Sequence, residues 1–452
     1  MVSKKDKFDI GEADFDVSRI VFPEHLYENL LSPRRSRVRK RFLEFVHSES
    51  LLLARIQTFL RHPFLDQYFI SSAVLGNHVT FLLILPHLFM FGIPVLAREM
   101  VNLLLYGVVV TCIAKDYLCL PRPPSPPVHR LSINKSHHLE YGFPSTHTSC
   151  CVGVGLSCLS YIYKSEALGT HTKLFLGLAS FFYMFSVSFG RIYCGMHSIT
   201  DVLGGAFFGI LLWAIFHVGQ PVVEATILYP SVFALIGLIS ALVLIIHVQP
   251  DPLNACPCFE DSVASLGAII GAYLGSWQGT NGSSFWTEPI QATLQYSFAR
   301  VGLTRSVMRV LVSFVMIIVW RLMSKRLCHL TLPRVYKLLG LPAKRLHKPS
   351  KKYQTLNHTP ISMIPSVINL DTGTDPKLKV KRGALGLNQE QAPRTREDHV
   401  CQFERELVDF RNEVYSILPR YDLETLTKLV VYTGIGWWAT LGSPMLCYYF
   451  GI

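Results

Sequence analysis

The chain has 452 residues, of which 50% are apolar and only 16% charged, a balance too apolar for an ordinary soluble protein. Much of its formal net charge of +12 lies in two runs, Arg34 to Arg41 and Lys325 to Lys352. Such runs belong to a membrane surface or a loop beside it, and nothing in the sequence resembles a nucleic-acid-binding module.

The N-terminus, MVSKKDKFDIGEADFD, has no apolar core and so reads as lacking a cleavable signal peptide, which leaves insertion to the first internal span. Residues 1–65 form a polar segment in which Ser48 to Leu60 has the pattern of an amphipathic helix lying on a membrane surface. A membrane catalytic domain is expected over 66–323. Apolar stretches able to cross, each needing about 20 residues, fall at 70–94, 97–114, 148–164, 172–190, 198–217, 229–248, 262–278, 306–323 and 428–450. They predict an all-α, polytopic transmembrane bundle of about eight or nine spans, the seventh being open to a re-entrant reading. Residues 324–427 are polar, basic at first and then rich in Pro, Asn, Thr and Asp, and read as a surface or partly disordered insertion before a C-terminal span in 428–452. Among the eleven cysteines only Cys256-Pro-Cys258 has a ligand-like spacing. No metal site and no cofactor are expected, and this pair reads as a loop feature with disulfide pairing left open.

Three polar blocks interrupt the apolar pattern: KDYLCLPRP from Lys115, YGFPSTH from Tyr141 and GRIYCGMHSITDVLGG from Gly190. The first two share the loop between the second and third spans, and the chain then crosses and returns before the third. All three therefore meet on one membrane face. Lys115 closes a helix and Arg122 follows a Pro-containing turn; by themselves they equally suit cations snorkelling to headgroups. Ser145 stands where it can cap the next helix, whose free N–H groups make an anion site with His147 one turn away. Arg191 ends the fourth span, and after a turn at Gly195 the residues His197 and Asp201 are four apart, on one face of the next helix. An aspartate so placed accepts one ring proton, fixes the tautomer and leaves the other nitrogen free to attack. An ordinary polar pair at a helix start is the alternative. As a set, these residues suit a phosphate ester, with a nucleophile, an acid and cations in place of a metal.

In order and spacing, Lys115 with Arg122-Pro123, Pro144 to His147, and Arg191 with His197 and Asp201 resemble the three signatures of the type 2 phosphatidic acid phosphatase superfamily. RPPSPP, EYGFPSTH, RIYCGMHSITDV and EDSVASLG resemble its sphingosine-1-phosphate (long-chain base 1-phosphate) phosphatase branch. The likeness spans roughly residues 70 to 280, and Gly190 departs from it, since many members carry Ser there. The resemblance implies a metal-independent, helical enzyme of the endoplasmic reticulum membrane that hydrolyses sphingoid base 1-phosphates through a phosphohistidine in sphingolipid metabolism. Its partners would be that lipid and the bilayer, with no nucleic acid and an oligomeric state left open. It makes His197 the nucleophile, Asp201 its orienting partner and His147 the acid, with Lys115, Arg122, Ser145, Thr146 and Arg191 holding the phosphate. It also implies a lumenal site, whereas the Arg34 to Arg41 run, two crossings away on the same face, points to the cytosol by the positive-inside rule. A lipid phosphotransferase or a broader lipid phosphatase would use the same residues, and a non-catalytic lipid-binding protein would not need His197.

Overall fold

The computed structural model describes residues 27, 30–76, 80, 84, 87–131, 140–228, 231–250, 256–339 and 421–452. They all fall in one unit, Val21–Ala343 with Tyr421–Ile452. The N-terminal 26 residues and residues 340–420 of the expected insertion lie outside the described residues.

Among the described residues all regular structure is helical. In chain order the helices are α1 (Pro33–Leu60), α2 (Pro63–Leu75), α3 (Pro94–Leu118), α4 (Thr146–Lys164), α5 (Thr170–Tyr193), α6 (Ile199–Leu228) and α7 (Val232–Val248). There follow α8 (Cys258–Asn281), α9 (Ser284–Leu294), α10 (Phe298–Leu338), α11 (Leu423–Trp437) and, after a π-helical turn over Trp438–Gly442, α12 (Ser443–Tyr449). Proline begins α1, α2 and α3, where its missing N–H leaves no donor unsatisfied and its fixed φ suits a helix start. α10 bends at Gly302, whose φ of 77° lies outside the helical range.

Among the described residues, four helices are long and apolar enough to cross a membrane: α3, α5, α6 through Ala225, and α10. They contain the expected spans 97–114, 172–190, 306–323 and, from Ile199 on, 198–217. The spans expected at 148–164 and 262–278 coincide with α4 and α8, and α7, of 17 residues, carries most of 229–248. The first and last expected stretches differ. α2 stops at Leu75 and α3 begins only at Pro94, whereas Leu423–Tyr449 runs as one continuous helical path through the π turn and contains nearly all of 428–450. The polar stretch expected from position 324 begins inside α10, which continues to Leu338.

α3 is the central helix: 67% of its most apolar window is buried, against 22% for α5 and for α6 and 11% for α10. It packs against α4, α6 and α8, while α4 also contacts α5 and α6, and α8 lies along α11. α5 and α6 turn large apolar side chains outward, among them Phe175, Phe181, Phe182, Phe207 and Ile215. Such a surface suits lipid rather than water. The close approach of α4 to α6 depends on Gly205 and Gly209, where a Cβ would fall 2.4 Å from Ser145 O and 2.6 Å from Ser149 O. Small residues four apart let one helix backbone press on another, and here they lock the start of α4 against α6.

α1 is a clamp across the end of this bundle. Arg35 donates to the carbonyls of Asp116 and Tyr117, and Arg39 to that of Cys119, so both satisfy the C-terminal carbonyls of α3. Glu49 accepts from the backbone N–H of Thr200 at the start of α6 (3.0 Å). Gln57 joins His129 to the end of α5 by donating to the His129 and Tyr193 carbonyls and accepting from the His129 N–H. Below the clamp, Leu118, Leu120 and Phe143 form a small apolar core with Phe42 and Leu43.

Candidate active site

The C-terminal ends of α3 and α5 meet the N-terminal ends of α4 and α6, which joins Lys115 to Thr146, Arg122 to His197 and Ser145 to Asp201 across the three polar blocks. Lys115 lies in the last turn of α3 and is almost fully buried. Its Nζ donates to Thr146 Oγ1 at 2.9 Å, and Thr146 is also within hydrogen-bond reach of Thr111 one turn earlier on α3 (3.0 Å). Past the left-handed Cys119 (φ 51°) the chain leaves α3 and carries Arg122 into the site. Gly142 N–H donates to Leu120 O at 2.8 Å and holds the second block against the first.

Arg122 is the hub. Its Nε donates to Glu140 O (3.0 Å), its Nη2 to Glu140 Oε2 (2.9 Å), and its Nη1 to Met196 O (2.7 Å) while facing His197 Nε2 at 3.2 Å. The other carboxylate oxygen of Glu140 is ion-paired with Lys115.

The third block turns at Gly195, whose φ is +63° and where a Cβ would meet His129 O at 2.6 Å; both requirements favour glycine. The carbonyl of Arg191 accepts from the N–H groups of Met196 and His197, which folds the turn back on the end of α5. The sequence pattern placed His197 and Asp201 on one helix face. In the structure His197 precedes the helix, and its meeting with Asp201 comes from a capping box. Ser198 Oγ accepts from Asp201 N–H (3.0 Å), and Asp201 Oδ2 accepts from Ser198 N–H (2.8 Å). The reciprocal bonds hold the carboxylate 3.5 Å from His197 Nδ1, and that nitrogen makes no hydrogen bond among the described residues. Catalytic hydrogen bonds are often this long before substrate binds.

These contacts assign the tautomer. A guanidinium only donates, so His197 Nε2, facing Arg122, is the acceptor nitrogen and the proton resides on Nδ1, on the Asp201 side. Burial, reinforced by Arg122, Arg191 and Lys115, holds the His197 pKa well below its ordinary value, so the ring is neutral with Nε2 turned to the cations.

The other expected residues are distributed around this centre. Arg191 is buried in the last turn of α5, and its Nε has no hydrogen-bond partner among the described residues, which leaves it a spare buried donor. Ser145 caps α4, its Oγ accepting from Thr148 N–H (3.4 Å) and Thr148 Oγ1 (3.0 Å), and its own N–H donates to Asp201 O at 3.0 Å. It thereby joins the second block to the third. His147, in the first turn of α4, turns toward the end of α2, with Cδ2 3.3 Å from the place of a Cβ on Gly76. At Gly190 a Cβ would come 3.1 Å from both Phe69 Cδ1 and Ser72 Oγ of α2, so the glycine admits that helix.

Glu140 was not among the residues expected from sequence. The available signal was a carboxylate immediately before the second block, in a stretch otherwise supplied with Lys135, His137 and His138. Cys256 and Cys258 are joined as a disulfide beside Asp116, with ligand atoms of all three within 4.8 Å of one another. Sulfurs bonded to each other are not thiolate ligands, so in this state the group does not suit a metal.

Residues 96–223, which contain all three blocks, match the model of the PAP2 superfamily. The chain is 30% identical to a dihydrosphingosine 1-phosphate phosphatase of Schizosaccharomyces pombe, over 98% of each chain. It is 34% identical to another of Saccharomyces cerevisiae, over 56% of this chain and 63% of the relative. With sphingosine-1-phosphate phosphatase 2 of Homo sapiens the identity is 28%, over 48% of this chain and 53% of that one. No solved structure matches the chain. The near-complete alignment with the fission-yeast relative, together with the shared blocks, means that the chain belongs to the PAP2 superfamily, in its sphingosine-1-phosphate phosphatase branch.

Proposed function

We propose that the protein is a phosphoric monoester hydrolase that removes phosphate from sphingoid long-chain base 1-phosphates, with His197 as nucleophile. The observation that carries this reading is the buried imidazole whose Nε2 faces Arg122 at 3.2 Å while Asp201 stands behind Nδ1 at 3.5 Å. A monoester of about −1.5 to −2 charge would replace the Glu140 carboxylate between Lys115 and Arg122 and take the spare donor of Arg191. Thr146 Oγ1 supplies a further contact, and Ser145 acts through the helix start it caps. Nε2 attacks phosphorus as the P–O bond to the lipid breaks, and protonated His147 gives its proton to the departing alkoxide. Water then attacks the phosphohistidine and passes a proton to His147. The P–N bond breaks with its electron pair returning to Nε2, and phosphate leaves. Asp201 holds the Nδ1 proton throughout, and the three cations stabilise the transferring phosphoryl group.

On the same reading the spans number eight or nine, 66–323 is the membrane catalytic domain, 324–427 an insertion and 428–452 the closing span. The site lies on the lumenal face of the endoplasmic reticulum. Two features favour the lumen over the charge bias of the N-terminal segment. Arg35 and Arg39 are engaged with α3 carbonyls rather than left for headgroups, and the Cys256–Cys258 disulfide beside Asp116 suits an oxidising compartment.

The test is release of inorganic phosphate from dihydrosphingosine 1-phosphate by the purified full chain, with no acceptor lipid and with excess EDTA. Full turnover is expected, and none by His197→Asn. Loss of activity in EDTA that magnesium restores would refute the metal-independent mechanism, and a requirement for an acceptor alcohol would make the protein a transferase.

A further inference from the structure

Glu140 poses a physical problem for a phosphate site. Its two carboxylate oxygens go to two different cations, one to Lys115 and one to Arg122, as two oxygens of a phosphate would. A carboxylate there competes with phosphate for both cations and repels the dianion once it is bound. A site for a simple monoester would be better served by a neutral residue. Before phosphate binds, the carboxylate helps to neutralise the two buried cations, and once phosphate is bound the penalty is offset when the ligand brings a positive charge next to its phosphate.

Resting on the functional reading above, we propose that Glu140 is the residue that recognises the substrate's amine and so selects sphingoid base phosphates from other lipid monoesters. In these substrates the ammonium sits on the carbon next to the one bearing the ester oxygen, so phosphate and ammonium reach the protein together. The phosphate displaces the carboxylate from Lys115 and Arg122, and the carboxylate turns outward to pair with the ammonium.

Three features of the site fit this exchange. The Lys115 and Arg122 side chains are 1% and 3% exposed but that of Glu140 is 21% exposed, so the carboxylate lies on the open side of the cations. The backbone beneath it is fixed independently of the carboxylate, because Glu140 O accepts from Arg122 Nε and Gly142 N–H donates to Leu120 O, so only the side chain has to turn. The charges also balance. Lys115, Arg122 and Arg191 face the phosphate dianion, and Glu140 faces the ammonium, which leaves neither end of a zwitterionic ligand unpaired.

The experiment compares wild type, Glu140→Gln and Glu140→Asp on dihydrosphingosine 1-phosphate and on its N-acetyl derivative, which keeps one tail and the phosphate but lacks the charge. Glu140→Gln is expected to lower kcat/KM on the amine substrate about 10–100-fold, the range of a charge-assisted hydrogen bond. On the N-acetyl substrate any loss should be at least tenfold smaller than on the amine substrate, and Glu140→Asp should keep most of the preference. Inorganic phosphate, as a probe of the cation pair, should inhibit Glu140→Gln more tightly than wild type because its internal competitor is gone. Equal losses on the two substrates, or weaker inhibition by phosphate, would make Glu140 a structural partner of the cations and overturn the proposal. A wild-type enzyme that hydrolyses phosphatidic acid but not dihydrosphingosine 1-phosphate would instead refute the functional reading, and the inference would fall with it.

Discussion

Gly142→Ala tests whether the first and second blocks must approach each other as closely as they do. A Cβ at this position would lie 2.7 Å from Pro121 O, 3.2 Å from Arg122 Cα and 3.2 Å from Asp201 Oδ2. Two of these neighbours are backbone atoms, which cannot rotate away, and the third is the carboxylate behind His197. Ordinary contact begins near 3.5 Å, so the two strands of loop must separate by roughly 0.5–1 Å. Misplacement of about 1 Å in catalytic geometry typically costs about 10²-fold in rate, because Arg122 moves relative to His197 and Asp201 relative to both. Gly142 is not at positive φ, so alanine is not strained by its own backbone, and crowding is the only penalty, about 1–3 kcal/mol. Part of this is offset by about 0.4–1 kcal/mol from the less flexible unfolded chain. The expected outcome is a drop in kcat/KM of about two orders of magnitude on dihydrosphingosine 1-phosphate with a small fall in Tm. Gly237→Ala is the control, since nothing lies within 4 Å of a Cβ there, and helix propensity alone should leave it neutral or slightly stabilised. Wild-type activity in Gly142→Ala, with Tm unchanged or raised, would show that the loops are free to separate and that the close approach is not what sets Arg122 against His197.

The pH dependence of stability follows from the depressed pKa of His197. Below its ordinary value of about 6.5 the unfolded chain binds a proton there that the folded chain excludes. Stabilisation is therefore complete above that pH and is lost as pH falls, by up to about 1.4 kcal/mol per pH unit from this group. Tm measured in detergent from pH 7.5 to 5 should fall less steeply for His197→Asn than for wild type, and parallel slopes would contradict a buried neutral ring. A further prediction separates the two histidines by leaving group. A sphingoid alkoxide needs a proton to leave and an aryl oxide far less, so His147→Asn should lose about 10²–10⁴-fold on the lipid and recover much of this on an aryl phosphate. His197→Asn should be inactive on both, and equal losses by a folded His147→Asn on the two substrates would remove His147 as the acid.

Local order in the sequence carried a large part of this result. Uniformly apolar runs can satisfy their backbone in lipid only as helices, so α3, α5, α6 and α10 were legible as spans, and the parity of crossings put Lys115, Arg122, Ser145, Arg191 and His197 at one end of the bundle. The four-residue spacing of His197 and Asp201 was also visible, but the cause differs. The Ser198–Asp201 capping box delivers the carboxylate to a histidine that precedes the helix, and spacing alone does not distinguish this from two residues on one helical face. What the sequence left undetermined depends on contacts between distant segments. Glu140 enters the site because Gly142 N–H reaches Leu120 O and Arg122 holds the Glu140 carbonyl. The arginines of α1 read as a membrane charge signal, yet two of them cap α3 across some 80 positions of chain. Periodicity and spacing report what a residue does within its own helix. Which carboxylate meets which cation is fixed only when helix ends from different parts of the chain are packed together, and here Gly205, Gly209 and Gly142 permit that packing by carrying no side chain.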